Sequence, residues 1–109
     1  MAYTAHTSLT IPDGGTTTPA LDLSDYLLSG IVCPAEFDGT TITFTAARTP
    51  EGTYRPVYNT DGTALTVTTA ASRHIAIVPE TFAGVRYVKL VAGTAQTGAT
   101  TLTLVLVDL

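Results

Sequence analysis

Threonine alternates with aliphatic residues in Thr41-Ile42-Thr43-Phe44-Thr45 and again in Thr101-Leu102-Thr103-Leu104. A hydrophobic period of two fits an extended strand with one buried face and no regular helix. Threonine suits that role because its β-branched side chain fits a pleated surface and its hydroxyl meets water without adding charge. Twenty-three of the 109 residues are threonine, whereas only five are basic and nine acidic. The chain therefore reads as a sheet protein with weakly polar outer faces, a surface suited to docking against other proteins.

A length of 109 residues is that of one domain with a single core. We divide it into an N-terminal strand or arm with its turn, residues 1–20, and a sandwich body, residues 21–109. Hydrophobic content of 45% and a mean hydropathy of +0.31 exclude a disordered chain. The net charge of −4 is mild, and Lys89, Arg48, Arg55, Arg73 and Arg86 are scattered along the sequence. No basic stripe for nucleic acid is evident. Met1–His6 lacks the cationic start and apolar run of a signal peptide. Leu102–Leu109 is too short to span a bilayer, so the expectation is a chain made and folded in a cytoplasm. Cys33, the only cysteine, sits in an apolar run and reads as a small buried hydrophobe.

Strand signals recur with turns between them. Thr4–Ile11 alternates and ends in Pro12-Asp13-Gly14-Gly15. Ala20–Leu23 is a short strand, although residues 22–29 could instead hold a helical turn capped by Ser24. Gly30–Cys33 is a buried strand stopped by Pro34. Thr40–Ala47 follows, with Ile42, Phe44 and Ala46 on one face. Thr53–Tyr58 contains Pro56, which cannot donate to a ladder and so marks a sheet edge. Asn59-Thr60-Asp61-Gly62 is a hairpin loop before Ala64–Thr68, with Leu65 and Val67 inward. His74–Val78 leads to a corner over residues 79–84, and Val85–Val91 and Thr100–Val107 complete the set. Residues 92–99, all small but for Gln96, read as a mobile loop. Eight or nine short strands at this spacing predict an all-β, single-domain antiparallel β-sandwich, jelly-roll-like in connection. In the last strand Leu102, Leu104 and Leu106 share one face while Val105 and Val107 lie on the other, so both faces expect cover.

The sequence offers little site chemistry. His6 lies in the N-terminal arm, and His74 follows Ser72 and Arg73 at the start of a strand, where chain neighbours point to opposite faces; no enzyme is expected. Asp13, Asp38 and Asp61 each precede glycine, which turn formation explains. Placing Gly62 at the glycine of a calcium loop puts Val57 and Ala70 at ligand positions, so that motif fails. Asp22 and Asp25 read as solvated side chains. No catalytic, metal or cofactor-binding residues are assigned, and no cofactor is expected. Tyr54 and Tyr58 fall on one strand face and form a candidate glycan or partner contact. Tyr3, His6, Leu9 and Ile11 form a candidate inter-subunit arm, able to add a strand to a neighbour.

The run Gly30-Ile31-Val32-Cys33-Pro34-Ala35-Glu36-Phe37, then Thr41-Ile42-Thr43-Phe44, then Tyr54-Arg55-Pro56-Val57-Tyr58-Asn59-Thr60-Asp61-Gly62, sets an order of packing and turn residues. It closes with Ile77-Val78-Pro79-Glu80-Thr81-Phe82-Ala83-Gly84-Val85-Arg86-Tyr87-Val88-Lys89-Leu90 and a Thr/Leu-rich strand. Over roughly residues 21–107 this resembles small all-β structural proteins of tailed bacteriophages: capsid decoration (cement) proteins, or parts of head fibres and tails. The resemblance implies a virion protein on the capsid surface, bound to the major capsid protein and to itself as a homotrimer or other homo-oligomer. From the charge pattern and the short apolar runs, neither nucleic acid nor membrane is expected as partner. A carbohydrate-binding or host-recognition module, and a fibre or tail component, are the alternative readings.

Overall fold

The computed structural model describes residues 4–108. Its strands are β1 (Thr4–Ile11), β2 (Leu21–Asp22), β3 (Tyr26–Val32), β4 (Thr41–Ala47), β5 (Arg55–Pro56), β6 (Thr66–Thr68), β7 (His74–Ala76), β8 (Tyr87–Ala92) and β9 (Thr100–Asp108). One 3-10 helix covers Pro79–Phe82.

A single operation on the chain accounts for the strand order. The first half runs out, folds back near Thr49–Gly52, where the Gly52 N–H donates to the Thr49 carbonyl at 3.1 Å, and returns along itself. β1 pairs with β9, β2 with β8, β3 with β7, and β4 with both β5 and β6, all antiparallel. Rolling that ribbon lays β9 against β3 and β8 against β4. The result is one sheet in the order β1-β9-β3-β7 and a second in the order β2-β8-β4-β5, with β6 also on β4. This all-β, single-domain antiparallel sandwich is a jelly roll, as the alternation and turn spacing predict.

The core lies between the sheets and repeats the period-two pattern. Ile42 and Phe44 of β4, Val88, Leu90 and Ala92 of β8, and Leu102, Leu104 and Leu106 of β9 are all buried. Phe82 closes one end, its ring 5.0 Å from that of Phe44 and edge-on at 69°. Such a pair contributes about 1 kcal/mol beyond the area it buries. Cys33 is buried as expected, and burial pushes its thiol pKa up from 9.0, away from the reactive range.

Two expectations are corrected. Residues 26–32 are strand, so the helical turn does not form. Ser24 instead donates its backbone N–H to Asp22 Oδ1 at 2.9 Å in a local turn, and its hydroxyl bonds the same oxygen. The segment read as a mobile loop over 92–99 begins at 93, since Ala92 ends β8, and it is fastened by Gln96, which is 1% exposed. Its side-chain amide accepts from the Asp38 N–H at 3.0 Å and donates to the Asp38 and Thr94 carbonyls at 2.9 Å each. Its backbone exchanges bonds with Gly14 and Gly15.

Candidate interaction surface

Only Thr18, Thr69 and Thr100 among the threonines are buried, and strand threonines such as Thr43, Thr45, Thr101 and Thr103 lie on outer faces, others filling exposed loops. On the second sheet, Thr43 opposes Val91, Thr45 opposes Lys89 and Ala47 opposes Tyr87, so bases and tyrosines interrupt the neutral face at one end. There the Lys89 ammonium sits 4.2 Å from the Tyr54 ring centroid, and the Arg86 guanidinium 5.2 Å from that of Tyr87. Both distances permit cation–π attraction. The Tyr54 hydroxyl donates to the Pro50 carbonyl at 2.9 Å. Desolvation, with Tyr87 adding a smaller effect, raises the Tyr54 pKa from 10.0. Arg86 also approaches Asp22 at 3.7 Å, an exposed pair of little energetic weight.

Beside this row lies a cavity of about 500 Å³ lined by Ala46, Ala47, Arg48, Thr49, Gly52, Thr53 and Arg55. Arg55 opposes Ala46 across the β4–β5 pair, and Ala46 and Arg48 share the parity of the inward-facing Ile42 and Phe44. Small and cationic residues stand where closing the sandwich would call for bulky apolar ones, so its mouth stays open. Neither Arg48 nor Arg55 has a carboxylate partner among the described residues. The bases that look scattered in sequence are thus partly regathered by the fold: Arg48, Arg55, Arg86 and Lys89 all lie around the β4, β5 and β8 end.

Tyr54 and Tyr58 meet different fates. Tyr54 is half-buried with its ring engaged by Lys89, while Tyr58, bridged to Ala64, is 60% exposed. Only Tyr58 keeps a broadly exposed ring. Residues 4–11 do not form a detached arm. β1 pairs with β9 in unbroken register from Thr4 to Ile11, with Ile11 wholly buried and Leu9 packed on the core. Alternation sets those two residues inward, so they serve this chain's own core. His6 points outward and is exposed, and Tyr3 lies outside the described residues. His74 stands on β7 at the opposite edge of the same sheet, apart from His6.

Sequence reasoning missed Gln96 and Thr18. Thr18 accepts the Leu90 N–H through its hydroxyl at 3.0 Å, extending the cover of β8 beyond β2. A lone amide in a loop of small residues was the available signal for Gln96. For Thr18 there was none, since it is one of three consecutive threonines. Among the described residues there is no cluster of three or more potential metal-binding side chains, and no helix long and apolar enough to cross a membrane. Comparison with family models, curated proteins and solved structures finds no match to this chain.

Proposed function

We propose that this protein is a structural component of a tailed-phage virion: a capsid decoration (cement) protein that binds the major capsid protein, self-associates and stabilises the shell. The observation that carries the reading is the neutral, threonine-covered exterior. A hydroxyl-bearing face is far cheaper to desolvate than a charged one and can hydrogen-bond adaptably across a contact. Shallow contacts of that kind suit a lattice, where repetition and linkage strengthen weak binding. The resemblance of the packing and turn residues to those of small phage structural proteins, read from the sequence alone, suggests the viral setting. Jelly rolls occur in viral capsid and lectin domains alike, so the fold does not choose between shell and sugar. The division of the tyrosine pair favours the shell, because a glycan platform would be left with Tyr58.

The test is sedimentation of purified protein with expanded shells that lack it. Co-sedimentation in stoichiometric amount, with shells that resist heat better, is the expected result. Electron microscopy of the same particles should show added density on the shell. Density confined to the tail or to fibres, or no binding to any shell, would overturn the proposal.

A further inference from the structure

The free sheet edges are unequal. β7 has three residues, and β6 has three. β2 has two and carries Asp22, while β5 has two, Arg55 and Pro56. Shortness, charge and proline are the usual protections of an edge against pairing with another chain. β1 has none of them. It is eight residues long, TAHTSLTI, pairs with β9 without a bulge, and contains no Lys, Arg, Asp, Glu or Pro. Among the described residues no strand lies on its other side.

The residues of this edge are also matched to themselves. Read outward from Thr7, the sequence meets His6 and Ser8, then Ala5 and Leu9, then Thr4 and Thr10: polar with polar, apolar with apolar, threonine with threonine. We propose that β1 pairs antiparallel with β1 of a second copy, with Thr7 on the twofold axis. Thr4 then opposes Thr10 of the second copy, Ala5 opposes its Leu9, and His6 its Ser8. The pairing keeps each face intact, because Ala5, Thr7 and Leu9 all lie on the core side while Thr4, His6, Ser8 and Thr10 all lie outside. An axis passing between Thr7 and Ser8 would set inward Ala5 against outward Thr10, which the pleat forbids. An axis through Ser8 would oppose Thr7 with Leu9 and forfeit the match. In the favoured register two four-stranded sheets become one continuous sheet, and the isologous contact closes at two copies. Backbone hydrogen bonds supply the affinity and opposed threonines add to it.

This inference specifies the self-association proposed above and is tested on purified protein alone, so its failure leaves shell binding standing. Thr4→Cys and Thr10→Cys place thiols at exposed, outward positions, and opposed residues of an antiparallel pair lie within disulfide range. Cys33 is buried and adds no background. On mild oxidation, an equimolar mixture of the two variants should give a covalent dimer, whereas each alone should give little. Ser8→Lys should weaken dimerisation of the full chain at least about tenfold by sedimentation, with its unfolding midpoint unchanged at dilutions where the wild-type chain is also monomeric. A mixture that cross-links no better than the single variants would overturn the proposal. So would wild-type protein that stays monomeric up to roughly millimolar concentration.

Discussion

At the scale of single residues, the side chain with the largest structural burden is Gln96. Its amide satisfies both the N–H and the carbonyl of Asp38 and the carbonyl of Thr94, joining the loop after β8 to the turn before β4. Gln96→Ala should cost about 2–3 kcal/mol by urea denaturation, because it strands backbone groups that water reaches poorly. Beside it, Thr97 donates its N–H at 2.9 Å and its hydroxyl at 2.8 Å to the Asp38 carboxylate, which lowers that carboxyl below its usual 3.8. Thr63 acts likewise on Asp61 through its hydroxyl and N–H, and Ser24 on Asp22. A lowered folded pKa adds stability that is present above the unfolded value and lost as pH falls through the folded one. The unfolding midpoint should therefore be level near neutrality and drop below about pH 4. Asp38→Asn should remove part of that acid sensitivity, measured as the midpoint in urea at stepped pH.

At the scale of elements, turns set what each strand can do. Gly39, in the turn before β4, has φ of +104°, and an added Cβ would meet Thr94 side-chain atoms at 2.8 and 2.9 Å. Gly39→Ala should thus lose about 1–3 kcal/mol of stability in the same denaturation assay, whereas Gly84→Ala, with open space, should lose little. The extent to which elements are legible in sequence follows from how local their causes are. β4 and β9 are plain because their alternation is continuous and one face is fully buried. β5 is shorter than its run of β-forming residues because Pro56 and the hairpin at 59–63 limit its pairing to two residues. β3 extends further back than Gly30 suggests, since Tyr26, Leu27 and Leu28 gain a partner in β9 that is remote in sequence. The surface was less legible than the strands for the same reason. Lys89 on Tyr54, the open mouth between Arg48 and Arg55, and the anchoring of Gln96 all join segments that only the roll brings together.

At the scale of the whole molecule, the rolled ribbon makes the outermost pair the most remote one. Thr4 lies beside Val107 and Ile11 beside Thr100, so closing β1 on β9 encloses nearly the entire chain. Closure entropy grows with the logarithm of loop length, and all-β folds built on distant pairs refold in milliseconds to seconds. The same geometry brings the two ends of the described chain together. A circular permutant that joins those ends through a short glycine–serine linker and reopens the chain between Thr49 and Thr53 would turn β1 and β9 into a local hairpin. Shortening that loop lowers its closure cost by about 2 kcal/mol, while cutting the fold-back removes the local connection between β4 and β5. Every native strand pair remains available, so cooperative unfolding and a native-like circular dichroism spectrum are expected. The early-forming contacts should shift toward β1 and β9, with Leu104→Ala slowing refolding more in the permutant than in the parent chain. A permutant that collapses without cooperative unfolding would mean that the fold-back at Thr49–Gly52 is needed to set the register of the roll.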